Sequence, residues 1–505
     1  MIYFRKIIFF LFLSILFSYK IDSSSVFIQK ANPKAILIPD YSLEKTDVNI
    51  QFLKKDKNLF LEFSVGYFDQ MSGARVNFSP ILKYKNFNFK INLDYLFKSD
   101  STLYNNNWED SFDLLNRIEY FRLSLFEDNF NLFLGEINNL SFGHGYLLSN
   151  YGNNYNYPIN RNLGLTLKLK NSNNSVIYTL FSSSLEDLFN QAGLLGSHLS
   201  VLISDSFPLR LGFGYVTDLN QFSNYRNEIE NVSRRINAFE FDLKFPLFQN
   251  NNSNLFLIGE LSAIDIPDKR YYKRIDDNEF TNDKKSRNGI WGVAFPGIKY
   301  INQNVECKLA VNYNSSIYSP YYFNTTYDFE KIRHRKYNIS NNEFFYPDEA
   351  ELLSTFSTSN NSIFIPKDMY SMINGYENVY STYGFSSSIK INPLSSHQLH
   401  FEYSYFKSID NFDDSFFNTV FFSYTINKRI LFFMTELEIF ASKDFFQFEG
   451  NFLFEENTIY GGNLVLNLYN DFALFGNFKN VFYDTDLDGS IDSVPYINLG
   501  MKYKY

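Results

Sequence analysis

The stretch Asn86–Phe97 reads NFNFKINLDYLF. Phe87, Phe89, Ile91, Leu93, Tyr95 and Phe97 share one parity. Asn86, Asn88, Lys90, Asn92 and Asp94 share the other, until Leu96 breaks the polar set at the strand end. Successive side chains of a strand face opposite sides, so the stretch predicts a strand with one apolar and one polar face. The pattern recurs along the chain. Leu163, Leu165, Leu167 and Leu169 alternate with Gly164, Thr166, Lys168 and Lys170, and Leu399, Phe401, Tyr403 and Tyr405 with His400, Glu402 and Ser404. Phe446, Phe448, Phe452 and Phe454 share a parity with Gly450, against Gln447, Glu449 and Asn451.

Strand-like runs begin near Phe416, Ile430, Asp444, Thr458 and Phe472, a pitch that leaves strands of about 11 residues once a tight turn is subtracted. At about 3.3 Å per residue and a tilt near 45°, such a strand projects to about 25 Å, the height of an outer-membrane apolar band. Soluble sandwiches and propellers use strands of about five or six residues, so length separates the two readings.

Composition agrees. The chain has 505 residues, 19 % of them aromatic, and its mean hydropathy is −0.25. The aromatic load opposes disorder, and the hydropathy opposes a polytopic helical membrane protein. A single Cys, Cys307, excludes an internal disulfide and any multi-cysteine metal centre. The net charge is −9, the wrong sign for a nucleic-acid partner. At the N-terminus, Arg5 and Lys6 precede the apolar run Ile7–Phe17 and the polar stretch Ser18–Ser25. That is the layout of a cleaved signal peptide, too short to span a bilayer. The expected organisation is a signal peptide over 1–25, a lead-in segment over 26–57, and a β domain over 58–505 with a long insertion at about 315–381.

The chain ends Ile497, Asn498, Leu499, Gly500, Met501, Lys502, Tyr503, Lys504, Tyr505. With Ile497, Leu499, Met501, Tyr503 and Tyr505 at every second position, these nine residues resemble the terminal assembly signal of bacterial outer-membrane proteins. Together with the exported N-terminus and the long alternating strands, the chain resembles the broad class of bacterial outer-membrane β-barrel proteins, porin-like ones included. The expected fold is all-β: a large transmembrane antiparallel β-barrel of about 18–20 strands, within bounds of 16–22. A closed sheet pairs every backbone N–H and C=O without an edge, as hydrocarbon demands. The resemblance implies an outer-membrane location in a Gram-negative-type envelope, with lipid, lipopolysaccharide and the outer-membrane assembly machinery as partners. It also implies passive diffusion of small polar solutes through a lumen lined by the polar parity. Two other readings stay open: a non-conducting surface-exposed structural or adhesive barrel, and a component for export or assembly of surface polysaccharide or lipid.

Three segments break the alternation: Asp218–Ile236, Asp265–Asn288 and about Ser315–Ser381. The last carries Lys331, Arg333, His334, Arg335 and Lys336, either a cationic constriction or, more plainly, a solvated external loop balanced by neighbouring carboxylates. Counting back from a last strand that descends to the periplasm puts this insertion on the periplasmic side, where loops are normally short. It then either hides a further strand or folds into the lumen from below. In Asp484–Asp492, the carboxylates Asp484, Asp486, Asp488 and Asp492 with Gly489 resemble the start of an EF-hand loop. Pro495 stands where the bidentate Glu belongs, so the expectation is at most a weak Ca²⁺ site, and no cofactor is required. The Gly-rich stretch Leu134–Asn150 lacks a phosphate-binding pattern, and its glycines suit a bend in the wall or the close approach of an inward segment. Among the five histidines, His144 suits the pore lining or a satisfied polar-face position. His397 and His400 lie on opposite parities and are poor joint ligands. No G-x-S-x-G or H-E-x-x-H sequence is present, and the chain reads as a non-enzyme.

Overall fold

In the computed structural model the chain forms the strands β1 (Leu59–Phe68), β2 (Gly73–Tyr84), β3 (Phe87–Ile91), β4 (Leu93–Phe97), β5 (Ile118–Leu125), β6 (Phe130–Gly135), β7 (Gly164–Lys170) and β8 (Val176–Ser182). After helix α1 (Leu185–Phe189) come β9 (Leu194–Leu202), β10 (Arg210–Asp218), β11 (Ile236–Gln249), β12 (Ser253–Asp265), β13 (Tyr271–Ile275), β14 (Glu279–Asp283), β15 (Trp291–Asn302) and β16 (Val305–Asn314). After helix α2 (Tyr327–Glu330) follow β17 (Ile332–Lys336), β18 (Ser362–Pro366), β19 (Thr382–Leu394), β20 (His397–Ser408) and β21 (Phe416–Ile426). The last four strands are β22 (Met434–Phe446), β23 (Thr458–Tyr469), β24 (Phe472–Tyr483) and β25 (Asp492–Lys504). Beyond these elements the structure describes residues 86, 92, 114–117, 126, 128–129, 136–137, 139–153, 162–163, 171–175, 183–184, 190–193, 203–209, 219–223, 234–235, 250, 252, 290, 303–304, 315, 318–324, 331, 367, 381, 396 and 409. The expected signal peptide and lead-in segment lie outside the described residues.

One 21-stranded sheet contains every strand except the two hairpins β13–β14 and β17–β18. β3 and β4 both pair with β2 and are halves of one stave interrupted at Asn92, so the sheet has twenty staves. Each stave pairs antiparallel with its neighbours, and β1 closes on β25 through pairs such as Val65↔Met501 and Tyr67↔Leu499. The sheet is a closed barrel, at the upper end of the expected 18–20 strands. The terminal segment sits at the seam, with Leu499 and Met501 facing outward; Tyr505 lies outside the described residues.

The alternation seen in the sequence separates wall from lumen. Across β9 to β12, Leu199, Phe213, Phe241 and Leu261 are consecutive cross-strand partners, each 40–53 % exposed on the outer face. One residue along, His198, Gly214, Glu240 and Ser262 are partners on the inner face. In Asn86–Phe97, Tyr95 is exposed while Lys90 and Asn92 are buried, Lys90 pairing with Glu119 at 2.8 Å. At the chain-terminal end several turns are short and held by one asparagine each. Asn171, Asn250 and Asn302 each accept a backbone N–H at 2.6–3.0 Å from a residue two to five positions on.

Two expectations need correction. The fixed pitch counts strands starting near Ile430 and near Asp444, but among the described residues of that region there is one strand, β22, and it pairs directly with β23 through Lys443↔Thr458. Phe446, Phe448, Phe452 and Phe454 continue an alternating pattern past the end of β22, so alternation alone suggests a further strand there. Removing the extra strand reverses the parity of the count. The 315–381 insertion therefore leaves the wall at the end opposite the termini, the same end as the connections after β6, β8, β10 and β12. Its described residues 318–324 turn into the lumen from the long-loop end, and β16 pairs directly with β19, so no stave lies between them.

Candidate functional site

Two chain segments turn inward and pack against each other and the wall. The first runs from Glu136 to Asn153 after β6, which ends on Gly135 at φ 147°. The second is residues 315–331 after β16. Leu148 and Phe323 form a parallel bridge, and the Tyr321 and Phe323 amides donate to the Tyr146 and Leu147 carbonyls at 2.8 and 3.2 Å. Around that bridge Phe142, Tyr146, Leu147, Leu148, Tyr151, Tyr318, Tyr322, Phe323 and Tyr327 form one buried cluster. Three of their hydroxyls are anchored to wall strands, and that of Tyr151 ties the first segment to the second. Tyr151 donates to Asp328 at 2.6 Å, Tyr327 to Asp218 at 2.8 Å and Tyr146 to Asn314, while Tyr318 bonds Ser262. Buried Tyr residues hold a hydroxyl partner for the same reason buried carbonyls do: an unpaired polar group in a dry place costs about 1–3 kcal/mol. Burial, with Asp328 beside it, pushes the Tyr151 phenol well above its usual range.

The first segment is held by one wall carboxylate. Glu260 accepts backbone N–H groups from His144 at 2.6 Å, Tyr146 at 3.0 Å and Leu147 at 3.1 Å. The Lys308 ammonium donates to the His144 carbonyl, and His144 Nε2 meets the Leu243 carbonyl at 2.8 Å. Burial is the main cause that lowers the His144 imidazole to about 3; Asp242 opposes the shift and Lys308 adds to it. The inward-segment reading of the Gly-rich stretch is the one realised, and His144 is at once satisfied and cavity-lining.

The inward segments leave the β19–β24 side of the lumen open. There a cavity of about 420 Å³ is lined by Lys308, Lys390, Lys479, His400, Glu402 and Glu438, with serines and threonines between them. His400 pairs with Glu402 at 2.8 Å. His397 meets the Tyr424 hydroxyl at 2.9 Å.

Among the described residues, none of those predicted for the constriction or the Ca²⁺ loop lines this cavity. Lys331 is buried against Asp328 at 3.3 Å beneath the aromatic cluster. Burial opposes its charge, and Asp328 with Asp218 more than offset this, raising it above the ordinary lysine range. Arg333, His334, Arg335 and Lys336 lie on β17, paired with β18 in a hairpin separate from the wall. Of the Ca²⁺ candidates, Asp484, Asp486 and Asp488 lie outside the described residues, and Asp492 begins β25. Sequence reading missed Glu240, Asp242, Glu260 and His198. The signal was present in Ala238–Phe245 (AFEFDLKF), where Glu240 and Asp242 share a face between phenylalanines. Their partners were not readable, because His198 and Glu260 belong to other strands.

No protein-family model matches this chain, and no curated protein matches it in sequence. Solved structures similar to it include the FrpB iron transporter from Neisseria meningitidis, 8 % identical with a TM-score of 0.34, covering 89 % of this chain and 82 % of that one. The siderophore receptor PirA from Acinetobacter baumannii is 10 % identical with a TM-score of 0.33, covering 90 % and 81 %. OccK11 (OpdR) from Pseudomonas aeruginosa is 9 % identical with a TM-score of 0.33, covering 88 % and 94 %. The fold assignment rests on this chain's own strand pairing. By its closed twenty-stave wall, outward apolar belt and polar lumen, the chain has the fold of a bacterial outer-membrane β-barrel.

Proposed function

We propose that this protein resides in the outer membrane and carries small polar solutes through the part of its lumen that the inward segments leave open. The observation behind this reading is the polar cavity along β19–β24, continuous with the lumen face and furnished with Lys308, Lys390, Lys479, Glu402 and Glu438. Charged groups at a constriction set what passes, and here lysines outnumber the lining carboxylates, which favours anionic solutes. A second reading, a non-conducting barrel, draws on the aromatic plug, in which Leu147, Leu148 and Phe323 have no exposed surface. Planar-bilayer recording separates the two. The channel reading expects small, discrete, anion-preferring conductance steps. Heat-modifiable protein that inserts and stays silent would leave only the plugged barrel.

A further inference from the structure

We propose that His198, Glu240 and Asp242 form a binding site for a divalent transition-metal cation, Zn²⁺ by its donor chemistry. Each residue offers one ligand atom, and these atoms lie within 4.8 Å of one another. His198 Nε2 is 2.7 Å from Asp242 Oδ2 and 3.5 Å from Glu240 Oε1. Donors around a tetrahedral Zn²⁺ lie about 3.4 Å apart, given bonds of about 2.0–2.2 Å to nitrogen and oxygen, so small side-chain rotations suffice.

Glu240 is the second, independent observation. Its side chain has no exposed surface, and neither carboxylate oxygen receives a hydrogen bond among the described residues. A buried ionised carboxylate is costly; a proton or a metal cation removes the cost, and the imidazole and second carboxylate beside Glu240 supply the further donors that a metal needs. Glu260 lies beside Glu240 within reach of a shared proton, but three of its roughly four acceptor positions already serve the amides of the inward segment, and as an acid it offers the ionised Glu240 no cation. One imidazole and two carboxylates give a neutral assembly with a divalent ion, and imidazole selects transition metals over Ca²⁺ or Mg²⁺.

The wall is shaped for this cluster. Gly214 lies between His198 and Glu240 in the pairing register, and Gly212 lies opposite Asp242. A Cβ on Gly212 would run into the Asp242 carboxylate, and one on Gly214 into the Glu240 side chain. β10 thus presents a bare strip over which both carboxylates lie. Phe142 of the inward segment stacks on the His198 ring at 5.4 Å and 30°, roofing the site. A bound ion would tie β9 to β11 across β10 and hold the imidazole under the plug, whether or not the barrel conducts.

The test uses full-length barrel folded in detergent, stripped with EDTA and dialysed against Zn²⁺ alone, with metal content measured by elemental analysis. The expected result is about one Zn²⁺ per chain, falling below about 0.1 in Glu240→Gln and in His198→Asn, as loss of one of three protein ligands predicts. The Asp486→Ala, Asp488→Ala double variant should keep the wild-type content. X-ray absorption at the zinc edge of the wild-type protein should show a nitrogen and oxygen shell with one imidazole. This measurement stands even if a variant fails to fold. Wild-type protein without metal, full loading of Glu240→Gln, or a shell with no imidazole or more than one would overturn the site. Absence of metal together with an undiminished Glu240→Gln stability would assign the position to a proton shared with Glu260.

Discussion

Leu148 and Phe323 bridge in parallel inside the barrel, the Ser149 amide donating to the Phe323 carbonyl at 3.0 Å, and neither side chain of the pair is exposed. This contact joins two loops that leave the wall far apart in the chain, and the plug depends on it. Phe323→Ala should cost about 3–5 kcal/mol by cavity formation. Because the loss is confined to the plug, the barrel should stay folded by heat-modifiable mobility while single-channel conductance rises. A conductance equal to wild type would show that this contact does not narrow the path.

Glu260 satisfies three amides at once, so Glu260→Ala should release the 139–153 segment. Hydrogen bonds to a charged group are worth about 1.5–3 kcal/mol each and do not add fully, so the expected loss is about 3–5 kcal/mol. Limited proteolysis of folded barrel reads this directly. New cleavage between Asn139 and Asn153, absent in wild type, is the expected result.

His144 gives the plug a pH dependence with a definite sign. Its folded value of about 3 lies below the ordinary 6.5, so the neutral ring is the form the fold accommodates. Stability is complete above pH 6.5 and falls as the pH drops toward 3, because there the unfolded chain binds a proton that the folded one refuses. At pH 5 the loss is at most about 2 kcal/mol, less to the extent that the half-buried ring reaches the cavity water. His144→Gln should flatten the difference in unfolding midpoint between pH 7.5 and pH 5. An unchanged slope would place the titrating group elsewhere.

Lys331 and the cavity lysines should behave differently. Lys331→Met leaves Asp218 and Asp328 without their shared cation and should cost about 3–5 kcal/mol with ion selectivity unchanged. Lys390→Glu with Lys479→Glu acts on the cavity lining and should move the reversal potential toward cation preference. A selectivity shift from Lys331→Met alone would return that residue to the constriction.

The acidic loop before β25 remains a candidate for weak Ca²⁺ binding. Millimolar Ca²⁺ should raise the unfolding temperature of the wild-type barrel, and Asp486→Ala with Asp488→Ala should abolish the rise. A rise that survives both substitutions eliminates the site.

Much of this protein is legible residue by residue. The alternation at Asn86–Phe97 and at Leu399–Tyr405 specifies strands with an outer and an inner face, because the pleat ties parity to side without reference to any other strand. The aromatic outer parity and the closing terminal segment then make a lipid-facing barrel the economical solution. What the local pattern did not hold was where one strand ends when alternating residues follow it, as beyond Phe446, and which loops turn inward. Nor did it hold the company that Glu240 keeps. His198, Gly214, Glu240 and Ser262 become neighbours only through the register of four strands, and Glu260 meets the His144 amide only when a loop folds back across the lumen. Parity is a property of one strand, whereas register and loop packing are properties of pairs distant in the chain, so they were decided by the closed wall and the space inside it.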